Sequence, residues 1–193
     1  MGFDWLSALG ILISLSGWVS FGYEIFTSNP KVNGKIIGHM SGELQHPQDP
    51  KKKTTIFLIY LYLVNKRRNS IHVVDYQLEI ERGKVYEKMS RFYGLENMKD
   101  PVFDSENGVY IIEDFSKQII TARVRPLTRD QPNFGFVSFF SEEKHETFQD
   151  NVEKFKITCR DVFGKEFVIV TNRKDLPEMH FLQDIARIKF TPK

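Results

Sequence analysis

Hydrophobic positions fall into two regimes along the chain: one unbroken apolar run near the start, then a series of short alternating runs. Nineteen uncharged residues, Trp5 to Tyr23, lie between Asp4 and Glu24. At about 1.5 Å per helical residue this run covers roughly 28 Å, close to the hydrocarbon thickness of a bilayer. Trp5 and Tyr23 stand at its two ends, where amphipathic rings favour the headgroup region. The pattern predicts a membrane anchor built on Trp5, Leu6, Leu9, Ile11, Leu12, Ile13, Leu15, Trp18, Val19 and Tyr23. A cleaved signal would open on Lys or Arg; this chain opens Met1-Gly2-Phe3-Asp4, so although Ser20-Phe21-Gly22 offers a small-x-small site, an uncleaved anchor is the expectation. Gly2 lacks the Ser or Thr that myristoylation requires where Leu6 stands. Ser7, Gly10, Ser14 and Gly17 share one helical face, a candidate surface for helix pairing and for a homo-oligomer.

Beyond the anchor (residues 1–26) the turn formers of 27–34 make a linker, and residues 35–193 read as one β domain. Lys35 to Glu43 is a short strand, closed by the prolines of His46-Pro47-Gln48-Asp49-Pro50. Thr54 to Val64 is apolar on both parities, the pattern of a strand covered on both faces. Its nine consecutive apolar residues, Ile56 to Val64, are too few for a second membrane helix. Val74, Tyr76, Leu78 and Ile80 alternate with Asp75, Gln77, Glu79 and Glu81, a half-buried strand that pairs with Thr54–Val64 across the polar turn Asn65 to Ser70.

Further strands are predicted over Gln118–Arg125, Gly135–Phe140, Glu153–Arg160 and Phe167–Thr171. The last two form a hairpin across Asp161-Val162-Phe163-Gly164, with Gly164 supplying a positive φ. Tyr86–Asn97 and the tail from Asp175 to Lys193 have helical character. Short strands at this spacing predict a mainly β fold, an immunoglobulin-like antiparallel sandwich, with a small β-barrel as the second reading. An anchor placed before a sandwich resembles, in layout, membrane-anchored immunoglobulin-like domains of the desiccation-related kind. Where those carry Asn-Pro-Asn after an early strand, this chain has Asn65-Lys66-Arg67, so the resemblance covers arrangement and not motif.

Composition agrees with a folded β domain: 193 residues, 41% hydrophobic, with 17 Phe and 7 Tyr. The formal charge of +2 becomes +4 over residues 27–193, since Asp4 and Glu24 are the only charged residues before them. That is too diffuse for a nucleic-acid interface, yet suited to an anionic leaflet. Lys31 and Lys35 follow the apolar run closely, so the positive-inside rule puts the domain in the cytoplasm and the N-terminus outside. A single cysteine, Cys159, excludes an intramolecular disulfide.

Motifs for chemistry are absent. His39, His46, His72, His145 and His180 are scattered, without HExxH or a Cys-x-x-Cys pair, so no metal or cofactor is expected. Cys159 lies in phase with Phe155 and Ile157, which makes it a core residue. Two basic clusters remain as candidate contacts with an anionic surface: Lys51-Lys52-Lys53 before the long strand and Lys66-Arg67-Arg68 after it, about 35 Å apart along an extended chain. The sequence thus predicts a membrane-tethered, non-enzymatic interaction module with a protein or lipid partner. Two further readings are an effector or accessory subunit that assembles through its membrane helix, and a hydrolase or metal-binding domain built from distant residues.

Overall fold

The computed structural model describes residues 19, 31–46, 49–66, 69–105, 108–121, 125–129, 131–143, 148, 151–176, 182–183 and 185–192. Among the described residues ten strands carry the fold: β1 (Val32–His46), β2 (Asp49–Asn65), β3 (Val73–Arg82), β4 (Val85–Arg91), β5 (Val102–Ser105), β6 (Gly108–Ile112), β7 (Asn133–Ser141), β8 (Lys154–Asp161), β9 (Glu166–Asn172) and β10 (Ile188–Pro192). One short helix, α1 (Phe115–Gln118), and 3-10 turns at Gly94–Asn97 and Arg173–Asp175 complete the described elements.

The protein is mainly β, and its large sheet is antiparallel. Seven strands run in the order β1-β2-β7-β4-β3-β8-β9, and a small sheet has the order β10-β6-β5. The large sheet curls nearly shut. β9 comes back beside β1, where Gly34 leaves room for the Ile169 side chain; a Cβ there would collide with it. Among the described residues no ladder joins β9 to β1, so side chains rather than hydrogen bonds close the seam. This differs from the two separate sheets of an immunoglobulin-like sandwich. β4 pairs with β3 along its length and with β7 at Ser90 and Arg91, which fuses what would be two sheets into one barrel-like wall.

Two cores explain why β2 is apolar on both parities. Phe57, Ile59, Leu61 and Leu63 point into the barrel, where they meet Leu78, Ile80, Val137, Phe139, Phe155, Ile157 and Cys159. Ile56, Leu58 and Tyr60 point outward, into a second core capped by Phe103, Ile112, Phe115, Leu182 and Ile188 from the small sheet and its neighbours. β1 changes face midway. Its register with β2 slips between Ile36 and Gly38, and the extra residue inverts the alternation. Ile36 therefore faces the barrel, whereas Met40 faces the second core.

A charge ladder sets the register of β3 against β8 on the outer face. Glu81 is opposite Lys154, Glu79 opposite Lys156 and Asp75 opposite Arg160. Their ion pairs measure 2.7, 2.5 and 3.9 Å. A one-residue slip would bury this ladder and expose the apolar face. The hydrogen bond from Lys154 holds the Glu81 carboxyl below the usual carboxylate range.

Several local expectations are corrected. β2 pairs with β1 and β7, and not with β3, so the hairpin expected across Asn65–Ser70 does not form. Tyr86–Asn97 is β4 followed by a 3-10 turn, whereas the tail from Asp175 to Lys193 is helical at Leu182, Gln183 and Ile185, as expected, before it ends in β10. Residues 115–118 are helical, and Ile119 and Ile120 are both buried in place of the expected strand alternation. The first strand starts at Val32, inside the stretch expected to be linker.

Candidate functional site

Four segments are tied together at the end of the barrel where β1 begins, here called the basal end. Val32 lies opposite Asn65, and the Lys66 N–H donates to the Lys31 carbonyl at 2.9 Å. Asn65 is fully buried, and its side-chain amide donates to the carbonyls of Asn69 at 2.5 Å and Leu127 at 3.3 Å. Ile71 and Leu127 exchange backbone hydrogen bonds of 3.1 and 2.7 Å. β3 opens at Val73 opposite Asp161, the last residue of β8, and the Val162 N–H donates to the His72 carbonyl at 3.1 Å. Residues 31–32, 65–66, 69–73, 125–129 and 161–165 thus share one surface.

That surface is basic with an apolar tip. Lys31, Lys66, Arg125, Arg129 and Lys165 are all exposed. The tip is the β8–β9 turn, in which Phe163 is 87% exposed and Val162 51%. Asp161, 2% exposed, holds the turn rigid: its Oδ1 accepts the N–H groups of Phe163 and Lys165, each at 2.8 Å. The Gly164 N–H donates to the Asp161 carbonyl, and the Asp161 N–H donates to the Lys165 carbonyl, both at 3.0 Å. Gly164 takes φ 78° without the steric penalty a side chain would add. Among the described residues at this end, Asp161 is the turn's acceptor, and Glu166 and Asp75 pair with Arg160 at 2.6 and 3.9 Å.

The other candidate places are less pointed. At the opposite, distal end a shallow groove of about 540 Å³ is lined by Arg82, Gly83, Val85, Glu87, Asn151 and Glu153. Its arginine is committed to Glu87 and Glu143 and lies over the Phe148 ring. A pocket of about 260 Å³ between the second core and β7 is lined by Tyr60, Asp114, Lys117, Gln118, Phe134, Ile185 and Arg187. There Lys117, and less strongly Arg187, hold the Asp114 carboxyl below its ordinary range. Among the described residues no cluster of three or more His, Cys, Asp or Glu side chains converges as a metal site would require. Burial in the barrel pushes the Cys159 thiol well up, which makes a thiolate nucleophile unfavourable.

The residues singled out from the sequence fall as follows. Residues 5–23, with the face Ser7, Gly10, Ser14 and Gly17, lie outside the described residues except Val19, which is helical and exposed. Among the described residues no helix is long and apolar enough to cross a membrane. Lys51, Lys52 and Lys53 lie in β2 near its hairpin with β1, at the distal end. Lys66 is at the basal end, followed by Arg67 and Arg68, which lie outside the described residues. Lys51–Lys53 and Lys66 are thus at opposite ends, and only Lys66 accompanies the start of β1.

Sequence reasoning missed Arg125 and Arg129 because the first ends, and the second follows, a stretch expected to be strand. Their placement comes from the long-range pairing of Leu127 with Ile71. Phe163 was legible as a turn residue, but not its exposure, which needs the fold.

No family model matches this chain, and no curated protein matches it. Among solved structures it is similar to YcdA of Bacillus subtilis subsp. subtilis str. 168, provisionally named a lipoprotein, at 12% identity and TM-score 0.42. That likeness covers 77% of this chain but 39% of the other. A second similarity, to the provisionally named ApaA protein of Bordetella pertussis, has 7% identity and TM-score 0.31 over 75% of this chain and 90% of that one. At these scores neither likeness bears on what the chain does.

Proposed function

We propose that this protein is a membrane-tethered, non-enzymatic interaction module. Residues 5–23 cross the bilayer, the barrel-like domain stands on the cytoplasmic side, and its surfaces serve a protein or lipid partner. One observation carries the reading: the described chain starts at the basal end, where Lys31, Lys66, Arg125, Arg129 and Lys165 gather. A domain that leaves the membrane at a basic end meets an anionic leaflet with complementary charge, each cation adding about 1 kcal/mol near the surface. The distal end, with Lys51–Lys53 and the shallow groove, then faces the cytoplasm and a protein partner.

Flotation with vesicles containing phosphatidylserine tests the tether. After an alkaline carbonate wash, which strips contacts held by charge, the full chain is expected to float, and a Leu12→Lys, Leu15→Lys double variant is expected to stay in the dense fraction, because charges at mid-membrane cost about 2.5–3.5 kcal/mol each. Equal flotation of both proteins would refute an anchor at 5–23. Crosslinking in native membranes followed by purification in detergent identifies the partner.

A further inference from the structure

We infer that the β8–β9 turn is a second membrane contact, with Val162 and Phe163 inserting into the interfacial layer of an anionic bilayer and fixing how the barrel stands on it. This inference rests on the tethered reading. Four observations converge on lipid as the occupant.

The first is exposure without support: Phe163 is 87% exposed at a turn whose other apolar residue, Val162, is 51% exposed. Apolar area in water gains free energy on transfer to the interface, and an aromatic ring is suited to that depth. The second is that the backbone is already satisfied. The N–H groups of Asp161, Val162, Phe163, Gly164 and Lys165 all donate within the protein, to Lys165 O, His72 O, Asp161 Oδ1, Asp161 O and Asp161 Oδ1. Lipid offers no partner for an orphaned N–H, so a tip meant to enter it needs this closure, which an ordinary hydrated turn does not. The same bonds make the tip rigid, so insertion demands little ordering.

Charge is the third observation. Lys165 flanks the tip, and Lys31, Lys66, Arg125 and Arg129 surround it on the same end, matching an anionic headgroup layer. Position is the fourth. Residues 1–30 precede Lys31 at this end, so an anchor at 5–23 brings the bilayer to the side of the domain that carries the tip. Two contacts, the anchor and the tip, then restrict a domain that a single tether would leave free to tumble.

Tryptophan fluorescence of the full chain in phosphatidylcholine–phosphatidylserine vesicles tests this. Trp5 and Trp18 are replaced by Phe, and a single reporter is placed at the tip (Phe163→Trp) or at the distal end (Val85→Trp, a position 68% exposed). Both sites are exposed, and far-UV circular dichroism checks that the fold is kept. With lipids brominated near the headgroup, quenching is expected to be several-fold greater at position 163 than at 85, with a blue shift at 163 only, and to weaken when phosphatidylserine is left out. If the chain floats with vesicles while position 163 stays unquenched, or if both positions are quenched alike, the tip contact is overturned and the tether stands. Failure to float refutes the tether itself. A blue shift at 163 that grows with protein concentration without lipid would overturn the inference in favour of a second copy of the chain as occupant.

Discussion

Asp161 and His39 are the two polar side chains on which single-residue energetics turn. Replacing Asp161 by Ala leaves the Phe163 and Lys165 N–H groups without their acceptor. The expected loss is about 1–3 kcal/mol in urea unfolding, and Asp161→Asn, which keeps an acceptor oxygen, should lose less. His39 is half-buried inside the barrel wall, with its ring centroid 4.6 Å from that of Phe155. Burial, and then the charge of Arg173, lower its pKa from 6.5 to about 4. Between those values the unfolded chain binds a proton that the folded chain refuses, so stability falls as pH drops from 6.5 towards 4. At roughly 1.4 kcal/mol per unit this term is at most about 3 kcal/mol. His39→Gln is expected to flatten that part of the stability–pH curve; an unchanged slope would show that other groups set it. Nothing around His39 in sequence foretold its burial, since the bulge after Ile36 decides which way it points.

At the scale of elements, the β3–β8 ladder is the clearest case of sequence dictating register. Glu79→Lys places like charges against Lys156 and is expected to cost roughly 0.5–1 kcal/mol. Lys156→Glu in the same chain should restore most of the loss, and a double-mutant cycle from urea unfolding measures the coupling. β2, β3, β8 and β9 were legible because period-two alternation, or its absence on a doubly covered strand, survives in local sequence. β4 was not. Its Glu87, Lys88 and Met89 are good helix formers, and the strand is set by a tight Gly83–Lys84 turn whose φ values of 54° and 71° carry it back along β3. Lys84 is an unusual occupant of such a turn, so the hairpin signal was weak. β5, β6 and β10 are short, and their order comes from the second core that they cap. Pairing across distance was likewise hidden: β2 must separate β1 from β7, which sends the chain past the expected hairpin and on to β3.

For the whole molecule, the barrel's two ends differ in kind. The basal end combines the start of β1, five exposed cations and a rigid aromatic tip, while the distal end holds a shallow groove whose arginine is already paired. The sequence supplied one basic cluster at each end but could not say which accompanied the anchor. In the fold Lys66 lies beside the start of β1, and the Ile71–Leu127 bridge brings Arg125 and Arg129 to the same end. On this account, lipid quenching of a reporter at position 163 weakens when Lys66, Arg125 and Arg129 are replaced by Ser, and is unchanged when Lys51, Lys52 and Lys53 are replaced by Ser. All of it depends on residues 5–23 crossing the bilayer. Alkaline carbonate extraction of membranes carrying the full chain tests that most directly, because it strips proteins held by charge and leaves those held by a membrane span. The account predicts that the chain stays with the membrane pellet, whereas its release into the carbonate supernatant would contradict it.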